Sequence, residues 1–240
     1  GSGDMTEKIL YQHGTLGALM AGLMDGTETI AHILEKGTLG LGTLHGLDGE
    51  VIFLDGVAYQ GRSDGSVVQL DGSELTPYAA ITDFTPDTSF SVSESADGEQ
   101  LKKDILVKED GENLFLAVKI TGLFKNMHIR IMPKQEKPYR RLAKISESQP
   151  EFQQSNIHGT LVGFFTPELI QGVAAAGFHL HFIDDTHTFG GHVMDFEVTE
   201  GNVEISRISS LVQHFPVDDP TFVHETIDYA DLAAEIQQAE

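Results

Sequence analysis

Four Asp-Gly pairs, at Asp48-Gly49, Asp55-Gly56, Asp64-Gly65 and Asp71-Gly72, punctuate the first third of the chain and are separated only by short segments. Asp-Gly supplies the positive φ angles that tight hairpin turns need. The runs between the pairs, such as Val51-Ile52-Phe53-Leu54 and Val67-Val68-Gln69-Leu70, have the β-branched and aromatic character of strands. This stretch therefore reads as a β-meander. Ahead of it, residues 6–37 read as helical. Leu16, Leu19, Met20, Leu23 and Met24 recur at three–four spacing, and Asp25-Gly26 breaks the stripe. Thr27 is the expected N-cap of a second short helix with Ile30, Ile33 and Leu34 on one face, and Gly37 its stop.

Further strands are expected over 114–120 and 127–132, joined through Gly122 and Lys125-Asn126, with His128 and Arg130 two apart on one face. Thr166-Pro167-Glu168 opens an expected helix that Gly177 closes. Residues 178–183 form a strand, 188–198 turn through Gly190-Gly191 into another, 203–211 alternate as a third, and an acidic tail ends in a helix over 229–240. The class is β-rich α/β with mixed sheets and a few short helices. The polar stretch 146–155 divides it into an N-terminal mixed-sheet domain (1–150) with leading helices and a C-terminal β domain (151–240). His13-Gly14-Thr15-Leu16 recurs as His158-Gly159-Thr160-Leu161, as two halves descended from one α/β unit would leave it. In that register Glu50 and His192 occupy related positions.

The chain carries 37 acidic and 15 basic residues, a formal charge of −22, which argues against nucleic acid or an anionic membrane as partner. Cysteine is absent, and with it disulfides, thiolate metal sites and a cysteine nucleophile. No apolar run approaches the ~18 residues of a membrane span. The opening Gly1-Ser2-Gly3-Asp4-Met5 reads as a cloning scar before a start methionine, with no signal-peptide pattern after it; the expected location is cytoplasmic.

The strongest chemical signal is Phe178-His179-Leu180-His181-Phe182, with His192 ten residues on. On a strand, side chains at i and i+2 leave from one face, so both imidazoles can approach one ion while the three hydrophobes pack behind. Two polar residues on an ordinary strand give the same pattern, and eleven histidines in 240 residues make close pairs common. Gly190-Gly191 returns the chain so that His192 supplies a third nitrogen; His187, in the intervening loop, is the rival ligand, and Asp184 and Asp185 solvate or stiffen that loop. Three imidazoles without cysteine fit a catalytic Zn²⁺ site with open positions, or another heavier divalent ion. His13, His32, His45, His158, His214 and His224 read as structural or exposed. Arg130 lies on a strand apolar enough to be buried, either bound to an internal carboxylate or anchoring a substrate anion. Glu50 alone is an ordinary strand-edge carboxylate.

Together, Leu10-Tyr11-Gln12-His13-Gly14-Thr15-Leu16, the stretch Gly40-Leu41-Gly42-Thr43-Leu44-His45-Gly46-Leu47-Asp48-Gly49-Glu50, and the segment from Gly177 through His192-Val193 resemble alpha-acetolactate decarboxylase. The resemblance implies Zn²⁺ on His179, His181 and His192, and a pocket lined by Glu50, Arg130 and Thr43. It implies a carboxylate from the tail, Glu240 in preference to Glu235, a two-domain fold and a homodimer. It also implies decarboxylation of a small anionic 2-hydroxy-3-oxo acid, 2-acetolactate, to acetoin and CO₂. The metal would act as Lewis acid where enediolate charge develops. Arg130 would hold the carboxylate, Glu50 and the tail carboxylate would relay a proton to one face, and Thr43 would orient a hydroxyl. Two alternatives remain at this stage: a zinc hydratase or hydrolase working through a metal-bound hydroxide, and a non-catalytic acidic metal-binding protein.

Overall fold

The computed structural model describes residues 7–239. The chain opens with β1 (Ile9–His13), α1 (Leu16–Met20), β2 (Glu28–Thr29), α2 (Ile30–Leu34), β3 (Leu39–Thr43), β4 (Glu50–Leu54), β5 (Val57–Gly61) and β6 (Val67–Gln69). It continues through β7 (Leu75–Thr76), β8 (Tyr78–Thr82), β9 (Thr88–Val92), β10 (Ala96–Asp97), α3 (Gly98–Glu109), β11 (Phe115–Arg130) and α4 (Leu142–Ile145). The last third is β12 (Glu151–Thr166), β13 (Gly177–Asp184), β14 (Gly190–Ile208), β15 (Ser210–His214), α5 (Pro220–His224) and α6 (Leu232–Ala239). Among the described residues no helix is long and apolar enough to cross a membrane.

The Asp-Gly pairs are turns: Gly49, Gly56, Gly65 and Gly72 all have positive φ. At the β4–β5 hairpin both Asp55 (φ 51°) and Gly56 (φ 78°) are left-handed, the combination a type I′ turn demands. β4, β5 and β6 then pair antiparallel in order. They form one edge of a seven-stranded sheet, β15-β1-β8-β3-β4-β5-β6, antiparallel except for the parallel pair β1–β15. The second sheet is built on β11 to β14. β11 pairs with both β12 and β14, β12 with β13, and β13 with β14, so the path closes on itself; β9 and β10 lie along β14. Residue 150 falls between β11 and β12, which pair with each other in this one sheet.

Several local expectations are corrected. The leading segment begins with a strand: Leu10, Tyr11, Gln12 and His13 are buried as the β1 ladder. α1 and α2 are single short turns, capped by the side chains of Thr15 and Thr29 rather than by Thr27. The two strands expected around Gly122 are one, as are the two expected around Gly201. Those glycines face each other across the β11–β14 pair, and a Cβ at Gly122 would strike the carbonyl oxygen of Glu200. They mark close approach between strands, not reversal. After Pro167 only a 3₁₀ turn forms, Glu168–Ile170. Leu169 there is 77% exposed, so no apolar stripe exists to hold a longer helix down. The tail helix starts at Leu232. The repeated tetrapeptide occupies two different settings, the end of β1 running into α1 and the interior of β12.

Apolar side chains of both sheets meet between them, Leu10, Leu41 and Tyr78 with Phe115, Ala117 and Phe164, and Leu39 and Ile52 with Val162 and Ile183. Phe124 meets Phe182 and Phe196 edge to face, at centroid distances of 5.3 and 5.9 Å, inside the second sheet. Burying each such ring contributes about 1.5–3 kcal/mol. The two sheets touch where Gly61 of β5 meets Gly190 of β14: a Cβ on Gly61 would collide with the Gly190 carbonyl oxygen. Glu50 is the cross-strand partner of Gly61, so this contact sets how near β4 comes to the second sheet. Gly61→Ala is therefore expected to cost about 1–3 kcal/mol through overpacking, a fall in Tm of several degrees by calorimetry. An unchanged Tm would show that the sheets do not meet there.

Candidate active site

β13 alternates as its sequence requires. Phe178, Leu180 and Phe182 pack into the second sheet's core, which sends His179 and His181 to the other face. The loop that returns the chain to His192 is organised by Asp184. Its carboxylate accepts from Thr186 Oγ1 at 2.6 Å and from the amides of Thr188 and Phe189 at 2.8 and 2.9 Å. The hairpin so closed places His181 and His192 directly opposite as cross-strand partners. His187 sits in the loop with φ 56° and its ring 4.5 Å from that of Tyr59, outside the cluster. Among the described residues, His179, His181 and His192 present nitrogens all within 4.8 Å of one another.

The tautomer of His181 follows from one bond. Its Nδ1 lies 2.8 Å from the carbonyl oxygen of Val51 in β4. A carbonyl only accepts, so Nδ1 carries the proton and Nε2 keeps its lone pair. That Nε2 is 3.3 Å from His179 Nε2 and 3.5 Å from Glu50 Oε2. Burial, then the charge of Arg130, lowers the His179 pKa to about 4. Burial followed by the neighbouring imidazoles holds His181 and His192 well below the usual histidine range. All three rings are neutral donors at physiological pH.

The first sheet supplies the opposite wall. Glu50, at the start of β4, is buried, and its Oε1 accepts from the Met132 amide at 3.0 Å. Thr43 is also buried, but its hydroxyl proton goes to the Gly49 carbonyl at 2.8 Å. It braces the turn that precedes Glu50 and can only accept from a ligand. Arg130 closes the third side, cross-strand from His192. These six residues line one cavity of about 60 Å³ between the sheets. A larger cavity, about 540 Å³ around Tyr139 and Phe222, contains none of them. Sequence reasoning missed Tyr78 and Gln149, which also face the smaller cavity; nothing local distinguishes either. His128, two residues before Arg130 on β11, bonds Asp195 and Glu151 at 2.9 and 3.2 Å and does not line the cavity. Glu240 lies outside the described residues. Glu235 is taken by Arg141, which donates to it through Nε at 2.8 Å and Nη2 at 2.6 Å.

The donor set suits a divalent ion. Two nitrogens each bound to one tetrahedral Zn²⁺ stand roughly 3.3 Å apart, the spacing of the His179 and His181 Nε2 atoms. His181 also has the backbone-anchored second nitrogen typical of ligating imidazoles. A cluster of neutral imidazoles, flanked by a carboxylate and a guanidinium around one small cavity, has the chemistry to hold a small oxygen-rich anion.

Comparison with known proteins narrows that class. The alpha-acetolactate decarboxylase family profile matches residues 10–229. The chain is 46% identical to alpha-acetolactate decarboxylase of Lactococcus lactis subsp. lactis (strain IL1403), over 96% of this chain and 98% of that one. It is 35% identical to the enzyme of Bacillus subtilis (strain 168), over 100% and 94%. The crystal structure of acetolactate decarboxylase from Bacillus subtilis subspecies spizizenii superposes with a TM-score of 0.93 at 36% identity, covering 97% of this chain and all of that one. The chain belongs to the alpha-acetolactate decarboxylase family, carboxy-lyases that convert acetolactate to acetoin.

Burial raises the Asp184 pKa, but the bonds from Thr186, Phe189 and Thr188 outweigh it and leave the carboxyl below its ordinary value. A depressed folded-state pKa contributes stability above the unfolded value, ~3.9, and loses it as pH falls through the folded one. Asp184→Asn should destabilise the fold at neutral pH by about 1–3 kcal/mol through lost bonding to buried amides, read as a lower Tm. The gap to wild type should narrow below about pH 4. A Tm difference independent of pH would contradict the ionic account.

Proposed function

We propose that His179, His181 and His192 hold a Zn²⁺ ion and that Glu50, Arg130 and Thr43 complete the decarboxylation site around it. The observation that carries this reading is the convergence of all six, from two different sheets, on one buried cavity. A divalent cation bound there would supply Lewis acidity where negative charge develops on the substrate oxygens.

The chain's own groups account for the rest. Acetolactate offers a carboxylate to Arg130, whose fork of N–H donors suits two parallel bonds to it. Breaking the bond to the carboxyl carbon releases CO₂ and leaves an electron pair on the former α-carbon. That pair delocalises through the neighbouring carbonyl as an enediolate, and one proton must then return to the α-carbon. Glu50 is placed to deliver it. The Met132 amide holds one oxygen, while the other faces the imidazoles and the cavity. Delivery from one wall of the cavity gives one acetoin enantiomer. Thr43 keeps the Gly49 turn, and so Glu50, in place.

The second carboxylate of the proposed site is Glu240. α6 packs Ile236 into the cluster containing Leu16, Leu19 and Leu142, which line the cavity. Glu235 is engaged by Arg141, which leaves Glu240 as the tail carboxylate of this reading. A homodimer, implied by the resemblance, is part of the same reading, and sedimentation of the full chain tests it.

His181→Ala is expected to remove bound zinc and acetoin formation together, whereas His187→Ala should retain both; metal analysis beside a CO₂-release assay reads the pair. Full zinc in His181→Ala would end the ligand assignment. Glu50→Gln should keep the metal and lower kcat by ~10²-fold or more. Unchanged turnover would return Glu50 to a purely structural role.

A further inference from the structure

The parallel pairing of β1 with β15 sets His13 directly against His214. The sequence placed both among structural or exposed histidines. In the fold, His13, Glu28 and His214 each offer a donor atom, and these lie within 4.8 Å of one another. The two Nδ1 atoms are 2.8 Å apart. His13 is fully buried, and its Nε2 meets Thr27 Oγ1 at 2.7 Å. With Nε2–H given to that hydroxyl, Nδ1 turns a lone pair toward His214; ligating imidazoles have this outer-shell arrangement. Both contacts of the Glu28 carboxylate, from His32 Nδ1 at 2.8 Å and the Thr29 amide at 3.1 Å, use Oε1, which leaves Oε2 for the imidazole pair.

A second observation points to the same place. The Tyr11 hydroxyl is buried and makes no hydrogen bond among the described residues. Its ring lies 6.0 Å from His214 and 6.3 Å from His32, and the hydroxyl is near enough to Glu28 to feel its charge. A phenol donor stranded beside two imidazoles and a carboxylate suits an oxygen ligand completing a coordination shell. The nearby cation, Lys36, sits over the Tyr11 ring with Nζ 5.3 Å from its centroid.

We propose that His13, Glu28 and His214 form a second divalent-cation site, separate from the cavity of the first, which clasps the N-terminal strand to the C-terminal one. Imidazole and carboxylate donors suit Ni²⁺, Co²⁺ or Zn²⁺. A 2.8 Å nitrogen pair corresponds to neighbouring ligands about 90° apart on an ion at roughly 2.0–2.1 Å, a six-coordinate arrangement that Ni²⁺ favours. Because the site joins strands from opposite ends of the chain, it exists only in the folded state, and occupancy raises stability by mass action.

The test uses the full chain, stripped with EDTA and re-equilibrated with Ni²⁺ or Zn²⁺ alone, with bound metal counted and Tm measured. Wild type should hold two equivalents and gain several degrees in Tm over the stripped form. His214→Ala should hold one, lose that part of the Tm gain and keep its decarboxylase activity. If His214→Ala fails to fold, Glu28→Gln carries the same test, with Ni²⁺ affinity at the second site expected to weaken at least about tenfold. A single wild-type equivalent that disappears in His181→Ala would overturn the second site, as would two equivalents persisting in both His214→Ala and Glu28→Gln. The histidine pair would then be a hydrogen bond only. A single equivalent lost in His214→Ala but kept in His181→Ala would uphold this site and refute the first.

Discussion

The hydrogen bond from His181 Nδ1 to the Val51 carbonyl, 2.8 Å long, is the interaction on which the site depends. It crosses from the second sheet to the first, so it ties together the two layers that supply opposite walls of the cavity. It also decides the chemistry of the ring, because a proton committed to a carbonyl at Nδ1 leaves Nε2 as the only lone pair and aims it at Glu50 and His179. Breaking it would free the tautomer, while the Glu50–Met132 bond and the apolar clusters shared by the sheets still join the layers. The Gly61–Gly190 contact beside it permits the approach; the bond fixes what the approach accomplishes.

Electrostatics within the cavity oppose those of the whole chain. A net charge of −22 repels a small carboxylate at long range, so capture depends on a local positive focus. In the proposed site Arg130 supplies it, and the same guanidinium helps burial keep His179 and His192 unprotonated. Attraction of an anion and availability of imidazole lone pairs therefore share one residue. The overall acidity works in the other direction for metal ions, concentrating divalent cations near a chain that offers them two histidine groups.

What the sequence disclosed tracks the range of the interaction involved. The meander was legible because each Asp-Gly turn is decided by its own two residues. His179, His181 and His192 were legible because strand alternation and one glycine-mediated return are local facts, and Asp184 closes that return within six residues. The long strands β11 and β14 were not. Gly122 and Gly201 look like turns until it is known that they face each other, and that fact belongs to pairing over a long separation. The helix after Pro167 failed for a related reason: a good first-turn signal does not help a segment whose Leu169 finds nothing to pack against. α3 received no assignment at all, since only Leu101 and Ile105 carry its buried apolar face in a charged segment.

The two histidine groups show how far this locality reaches into function. One is drawn together by a hairpin; the other by the parallel pairing of the chain's first and last strands, 201 residues apart. Parallel neighbours need a crossover, and here the crossover is nearly the whole molecule. A cation at His13 and His214 therefore senses whether the entire fold is complete, while one at His181 and His192 senses only the hairpin and the wall it leans on. The difference also separates their chemistry. The hairpin group opens on a cavity that contains an acid and a guanidinium, whereas the strand-end group is flanked by Thr27, Tyr11 and the Glu28–His32 pair. Similar donors thus suit catalysis in the first proposed site, which adjoins Arg130 as an anchor for a substrate anion, and cross-linking in the second, which joins two strands.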